Sequence, residues 1–302
     1  MKKKIMQKAL TTIGLLALTS ISGYSQTAEF HTPQNMGLTV NTEVTDNGGF
    51  LAPNGMSFYF SSQRSGGEGL SDIWVSQRQT LSSAWQTPQN LGTVINTGSN
   101  DNRPRLSLDG RTMFFGSNRE GSFDIFMSTR PNPADDFGWT TPINLNINTP
   151  DASESTPAYF EDPITGIATL FFSSNRDGGV GGADIYQSRR NPDGTFGVAV
   201  NCGFLNTVAQ DIMPFPSRDG LEIFVVSDNG GLGGLDIWVA TRVSLFSRWR
   251  RPVNVSSLNS DFDDQDPSLS PDGSVIYFGS DRDGGNGGSD LYSATRLCSS
   301  RK

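Results

Sequence analysis

The sequence predicts an all-β fold, a five-bladed β-propeller with four-stranded antiparallel blades, and three observations point to it. One pattern recurs five times: a hydrophobic run ending in Ser, a Gly-rich loop, Asp-hydrophobic-aromatic, and an Arg six positions after that Asp. The hydrophobic runs SFYFSS, TMFFGS, TLFFSS, EIFVVS and VIYFGS begin at Ser57, Thr112, Thr169, Glu222 and Val275. The later Asp residues are Asp72, Asp124, Asp184, Asp236 and Asp290, each paired with Arg78, Arg130, Arg190, Arg242 or Arg296. Repeats of short strands at this spacing indicate one propeller blade each. Finally, the last repeat ends without a fourth strand, and a segment near the start supplies one.

Each blade reads as strands A to D in chain order. Strand A runs into a tight turn at Asn54-Gly55, Asp109-Gly110, Asp219-Gly220 and Asp272-Gly273, dipeptides that favour the positive φ of a twisted hairpin. Repeat three carries Glu161-Asp162-Pro163-Ile164-Thr165-Gly166 instead and should bulge there. The hydrophobic run is strand B and the Asp-hydrophobic-aromatic run is strand C. Strand D carries W-x-x-P-x-N at Trp85–Asn90, Trp139–Asn144 and Trp249–Asn254, and weakly at Phe196–Asn201. His31-Thr32-Pro33-Gln34-Asn35-Met36-Gly37 matches Gln86-Thr87-Pro88-Gln89-Asn90-Leu91-Gly92. Residues 31–37 should therefore pair with the last blade and close the ring, leaving no free edge there. The repeats span 38–91, 92–145, 146–202, 203–255 and 256–296, and one domain over 26–302 is expected.

Residues 1–25 read as a secretory signal peptide: Lys2, Lys3, Lys4 and Lys8, an apolar stretch from Ala9 to Ile21, then small residues, with cleavage between Ser25 and Gln26. No Cys follows that stretch to carry a lipid, and no later segment has the length of a membrane span. An exported protein, periplasmic or secreted, is expected. Losing the four leader lysines takes the formal net charge from −8 to −12 and leaves Lys302 as the last lysine. That acidity argues against nucleic acid or an anionic membrane as partner. His31 is the single His, so a Ser-His-Asp triad, a His-ligated zinc site or a His general base on the axis is not expected. Cys202 takes a hydrophobic strand position and Cys298 lies a whole blade away, which argues against a disulfide.

The P-x-x-S-x-DG turn, as in Pro104-Arg105-Leu106-Ser107-Leu108-Asp109-Gly110, followed by Ser-Asn-Arg and Asp-Ile-aromatic, resembles the WD40-like, TolB-type propeller repeat. The resemblance covers essentially the whole mature chain. It implies a protein of the bacterial envelope acting as an interaction platform. Similar propellers occur beside OmpA-like peptidoglycan-binding domains; this sequence has no such domain, so peptidoglycan attachment does not carry over.

Candidate binding residues fall in the D-to-A and B-to-C connections, which share one face at the channel mouth. A carboxylate stands three residues before the expected start of each strand A (Gly49, Pro104, Pro157, Pro214, Pro267): Asp46, Asp101, Glu154, Asp211 and Asp264. By pseudo-symmetry these form a ring. Either they cap turns and accept bonds from backbone N–H groups and nearby Arg, or they converge on Ca²⁺, a sugar or a basic partner. Arg64, Arg119, Arg176 and Arg282 sit in the B-to-C loops. The stretch from Asp281 to Asp290 superficially resembles a calcium loop but lacks EF-hand spacing and its terminal Glu. No cofactor is expected, Ca²⁺ being the one candidate.

Asymmetry is the better clue to function: repeat two has a short loop with Glu120, and repeat four offers Asp228-Asn229 where the others place Arg. The strand C aromatics Trp74, Phe126, Tyr186, Trp238 and Tyr292 read as packing, with sugar stacking the alternative. With a single His near the mature N-terminus, one lysine after the leader and no evident nucleophile, the expected function is a monomeric, non-catalytic binding or scaffolding propeller whose partner is an envelope protein or a glycan. The alternative is a carboxylate-based glycoside hydrolase, since five-bladed furanosidases need only two carboxyl groups at a defined separation.

Overall fold

The structure, a computed structural model, describes residues 28–297; the expected signal peptide and Cys298 lie outside the described residues. Blade 1 comprises β2 (Asp46–Leu51), β3 (Ser57–Ser62), β4 (Asp72–Gln77) and β5 (Gln89–Asn90). Blade 2 comprises β6 (Asp101–Leu106), β7 (Thr112–Ser117), β8 (Asp124–Thr129) and β9 (Ile143–Asn144). Blade 3 holds β10 (Glu154–Glu161), β11 (Ala168–Ser174), β12 (Asp184–Arg189) and β13 (Val200–Asn201). Blade 4 holds β14 (Asp211–Pro216), β15 (Glu222–Ser227), β16 (Asp236–Thr241) and β17 (Val253–Asn254). Blade 5 holds β18 (Asp264–Leu269), β19 (Val275–Ser280) and β20 (Asp290–Thr295), completed by β1 (Gln34–Asn35).

The ring closes as the sequence predicts. Gln34 pairs with Ser293 and Asn35 with Tyr292, and Phe30 bridges to Arg296. All strand pairings within the blades are antiparallel.

The B strands read as unbroken apolar runs because blades cover both of their faces. β3 and β7 are buried at every position. Tyr59, Ile73 and Val75 of blade 1 pack against Leu106, Met113 and Phe115 of blade 2, while Phe58, Phe60 and Trp74 pack against Tyr277 and Leu291 of blade 5. The core is thus a set of clusters between blades, surrounding a channel lined by the A strands.

Strand A begins at the carboxylate itself, three residues earlier than the sequence suggested. Each A strand carries a bulge; in blade 2 Arg103 and Pro104 together oppose Phe115. The third residue of every A strand has positive φ: Gly48 64°, Arg103 54°, Thr156 51°, Met213 54° and Asp266 56°. Four of these five are not glycine, so each bears a backbone cost that the surrounding structure must offset. Proline follows in blades 2 to 5, fitting where the ladder is broken and no N–H is needed.

Candidate functional site

The repeated carboxylates are built into their own blades. Asp46, Asp101, Glu154 and Asp264 are fully buried and Asp211 is 1% exposed. Each accepts from the backbone N–H and hydroxyl of a residue in the preceding link: Thr42 (2.6 and 2.7 Å), Thr97 (2.6 and 2.8 Å), Thr149 (2.8 and 3.1 Å), Thr207, and Ser260 (2.6 and 2.9 Å). In four blades the same carboxylate takes an arginine from the B-to-C loop: Arg64 on Asp46 (2.6 Å), Arg176 on Glu154 (2.9 Å), Arg119 on Asp101 and Arg282 on Asp264. Each guanidinium also lies over the strand B and C aromatics, Arg64 at 4.9 Å from the Phe60 ring and 5.3 Å from Trp74. Such cation–π contact fixes the arginine and covers the ring.

The strand C aspartates organise the Gly-rich loops. In the stretch resembling a calcium loop, Asp290 Oδ2 accepts from Asn286 N (2.6 Å), Asn286 Nδ2 (3.2 Å) and Asn35 Nδ2 (2.7 Å). A Cβ on Gly67 would collide with the matching Asp72 carboxylate, which is why glycine stands there.

Blade 4 departs from this scheme. Asn229 occupies the arginine position, and Asp211 holds only Thr207 and Ser227. Burial pushes the Asp211 carboxyl above the usual carboxylate range, with the charge of Asp184 adding to the shift against the hydrogen bonds. The aromatic below behaves differently too: Trp74, Phe126, Tyr186 and Tyr292 are buried, whereas Trp238 is partly exposed.

The second departure lies on the axis, at the bulge residues. Arg103 of blade 2 and Asp266 of blade 5 are joined by Nε to Oδ1 at 2.6 Å, across the intervening blade 1. Gly48 makes room, since a Cβ there would come within 3.2 Å of Arg103 Cγ. Asp266 is fully buried, its N donates to Met213 Sδ at 3.3 Å, and its Oδ2 is buried without a partner. A buried oxygen lacking a donor is costly and marks a place where a proton, water or ligand would be welcome.

Sequence reasoning missed Arg103, Asp266 and a third cluster. Asp136, in the C-to-D loop of blade 2, reaches into blade 1 and accepts from Ser57 Oγ (2.6 Å), Tyr59 Oη (2.5 Å), Gln77 Nε2 (2.8 Å) and Arg130 Nη1 (2.8 Å). Burial alone would raise its pKa; the hydrogen bonds from Ser57, Tyr59, Arg130 and Gln77 hold it below the ordinary value. This is a strap between blades. Cys202 is buried, its thiol pushed up to about 12 by desolvation, an inert position.

No protein-family model and no curated protein matches this chain. Solved structures do. The catalytic domain of a GH62 α-L-arabinofuranosidase from Coprinopsis cinerea is similar with a TM-score of 0.56, at 14% identity over 89% of this chain and 98% of its own. An endo-arabinase from Bacteroides thetaiotaomicron gives 0.55, at 15% identity over 88% and 97%. This chain spans 55% of the length of TolB from Acinetobacter baumannii, with 16% identity over 84% of this chain and a TM-score of 0.48. The likeness is one of fold. Structures of both TolB-like proteins and glycoside hydrolases share this propeller fold at low identity.

That finding corrects the expectation of a non-catalytic scaffold whose role is protein binding, and with it the leaning against an enzyme. Glycoside hydrolases recur among the matches as arabinofuranosidases, an endo-arabinase and further GH43 and GH62 enzymes. The scarcity of His and Lys therefore excludes little, because carboxyl groups suffice for that chemistry. Among the described residues no helix is long and apolar enough to cross a membrane.

Proposed function

We propose that this protein is a carboxylate-dependent glycoside hydrolase, working at the face formed by the D-to-A and B-to-C connections of blades 4 and 5. The observation that carries this reading is the missing arginine of blade 4. Where four blades neutralise the buried carboxylate and cover the aromatic below it, blade 4 leaves Asp211 with a raised pKa and Trp238 partly exposed. Glycoside hydrolysis needs an acid that keeps its proton near working pH, and burial without a cation is how a carboxyl group does so.

In this reading Asp211 protonates the leaving oxygen, and Asp266 on the neighbouring innermost strand serves as base or nucleophile through its unpartnered Oδ2. Arg103 orients Asp266 by holding Oδ1. Trp238 offers a face on which a sugar ring can stack. Export, expected from the leader, suits a polysaccharide substrate outside the cytoplasm. The arabinofuranosidases and the endo-arabinase sharing the fold name the first substrates to try.

The test is release of sugar from 4-nitrophenyl α-L-arabinofuranoside and from arabinan by the mature protein. Turnover should fall steeply in both Asp211→Asn and Asp266→Asn while their circular dichroism spectra stay those of the folded protein. No turnover on a panel of pentosides and hexosides, or full activity in both folded variants, would remove the proposal.

A further inference from the structure

The far end of the channel, at the A-to-B hairpins, holds a pocket of a different kind. It encloses about 70 Å³ and is lined by side chains that include Phe50, Arg105, Tyr159, Phe215 and Leu269, with exposed Arg218 at the rim. All five innermost strands contribute to it. Its wall is mostly apolar, with Arg105 the buried cation in it and Glu161 and Arg218 the other charged residues of the lining.

Arg105 is 5% exposed and lies 5.7 Å from each of the Phe50 and Phe215 rings. Its Nη1 donates to two backbone carbonyls, Gly48 O at 3.0 Å and Pro104 O at 2.9 Å, while its buried Nε has no partner. Among the described residues no carboxylate forms an ion pair with it; the nearest opposing charge, Asp266, is already held by Arg103. Burial accordingly draws the guanidinium down to about 10. The equivalent positions in the other blades are Phe50, Ala158, Phe215 and Ser268, none of them charged. The repeat does not require an arginine here, and carbonyl contacts leave its charge uncompensated.

We propose that this pocket binds a carboxylate carried on an apolar or aromatic body, with Arg105 as the counter-charge. The pocket has room beside Arg105 for a carboxylate and the carbon bearing it. The remainder of the ligand would rest outward on Tyr159, Leu269 and Leu108, whose side chains line the mouth. The unpartnered Nε supplies a donor to the anion, and the flanking phenyl rings keep water from competing with it. Glu161, also in the lining, lies 3.2 Å from the Tyr159 hydroxyl, which donates to it. This site sits at the opposite end of the channel from Asp211 and Trp238, so it stands or falls separately from the hydrolase reading.

The probe is 4-iodobenzoate, titrated calorimetrically against the mature protein beside the neutral 4-iodobenzamide. Binding of the acid is expected, with the amide at least tenfold weaker and Arg105→Met weakening the acid by a similar factor. Crystals soaked in the acid should show the anomalous iodine signal at the hairpin end of the channel, a readout that needs no variant to fold. Equal affinity for acid and amide, unchanged affinity in a folded Arg105→Met protein, no binding, or iodine located elsewhere would each overturn the proposal.

Discussion

Two rings of five residues lie two positions apart on the same innermost strands, and they could hardly differ more. The outer ring, Asp46, Asp101, Glu154, Asp211 and Asp264, is nearly invariant, fully buried and hydrogen-bonded inside its own blades. The bulge ring, Gly48, Arg103, Thr156, Met213 and Asp266, has a different residue in every blade and leaves a buried carboxylate oxygen unpartnered. In the outer ring the fold satisfies the repeated carboxylates, although the repeated strand C residues Asp72, Asp236 and Asp290 each keep one buried oxygen unpartnered. Variation marks where the chain tolerates strain and orphaned atoms, as functional sites do. Asp211 belongs to the first ring by position and to the second by environment, because Asn229 took away its arginine.

The sharpest way to break this contrast is catalysis. Asp266→Asn should lower kcat by about a thousandfold, within the range of a lost acid–base group. Asp101→Asn, once shown to be folded, should leave kcat within a few-fold of the parent. A reversed pattern would mean that the repeated ring carries the chemistry.

Stability should rank the rings the other way. Asp101→Asn strands Arg119, whose side chain is 17% exposed and keeps Ser117 Oγ and Ile95 O as partners. Removing one partner of a buried pair costs about 3–5 kcal/mol, and partial solvation should reduce this to about 2 kcal/mol. Asp211→Asn strands no cation and should stay within about 1 kcal/mol of the parent, since the amide oxygen can still accept from Thr207. Urea denaturation measures both, and equal losses would show that the arginines add nothing to the outer ring.

How much of this was legible follows from the same contrast. Five blades and the closing strand at Gln34–Asn35 could be read because Asp72 and its equivalents, the Asn-Gly and Asp-Gly turns and the W-x-x-P-x-N strands repeat. The start of strand A was misplaced by three residues because the bulge at Arg103-Pro104 breaks the two-residue period on which strands are recognised. The Arg103–Asp266 pair joins residues 163 apart, and no local pattern announces it. Aligned by repeat, the column holding Gly48, Arg103, Thr156, Met213 and Asp266 differs in every blade, but so does the column just before the carboxylates (Thr45, Asn100, Ser153, Gln210 and Asp263), so variation alone did not single it out. Asp136 had no signal at all, since its partners Ser57, Tyr59 and Gln77 belong to another blade.

The smallest expected effect separates two buried aspartates by sign. Asp136 is held below its unfolded pKa, so its contribution is present above that unfolded value and is lost as pH falls through the folded one. Asp211 is raised, so the folded state holds its proton more readily, and stability declines as pH rises from the unfolded pKa through the folded one. The variant-minus-parent difference in Tm should therefore be most negative near neutral pH for Asp136→Asn and shrink on acidification. For Asp211→Asn it should move the opposite way, becoming more favourable at neutral pH than in acid, because the raised pKa of the parent carboxyl costs stability only where that carboxyl ionises. Melting curves of the two variants between those limits decide it. Parallel slopes would mean that Asp211 shares the satisfied environment of its four counterparts, and the special standing of blade 4 would go with it.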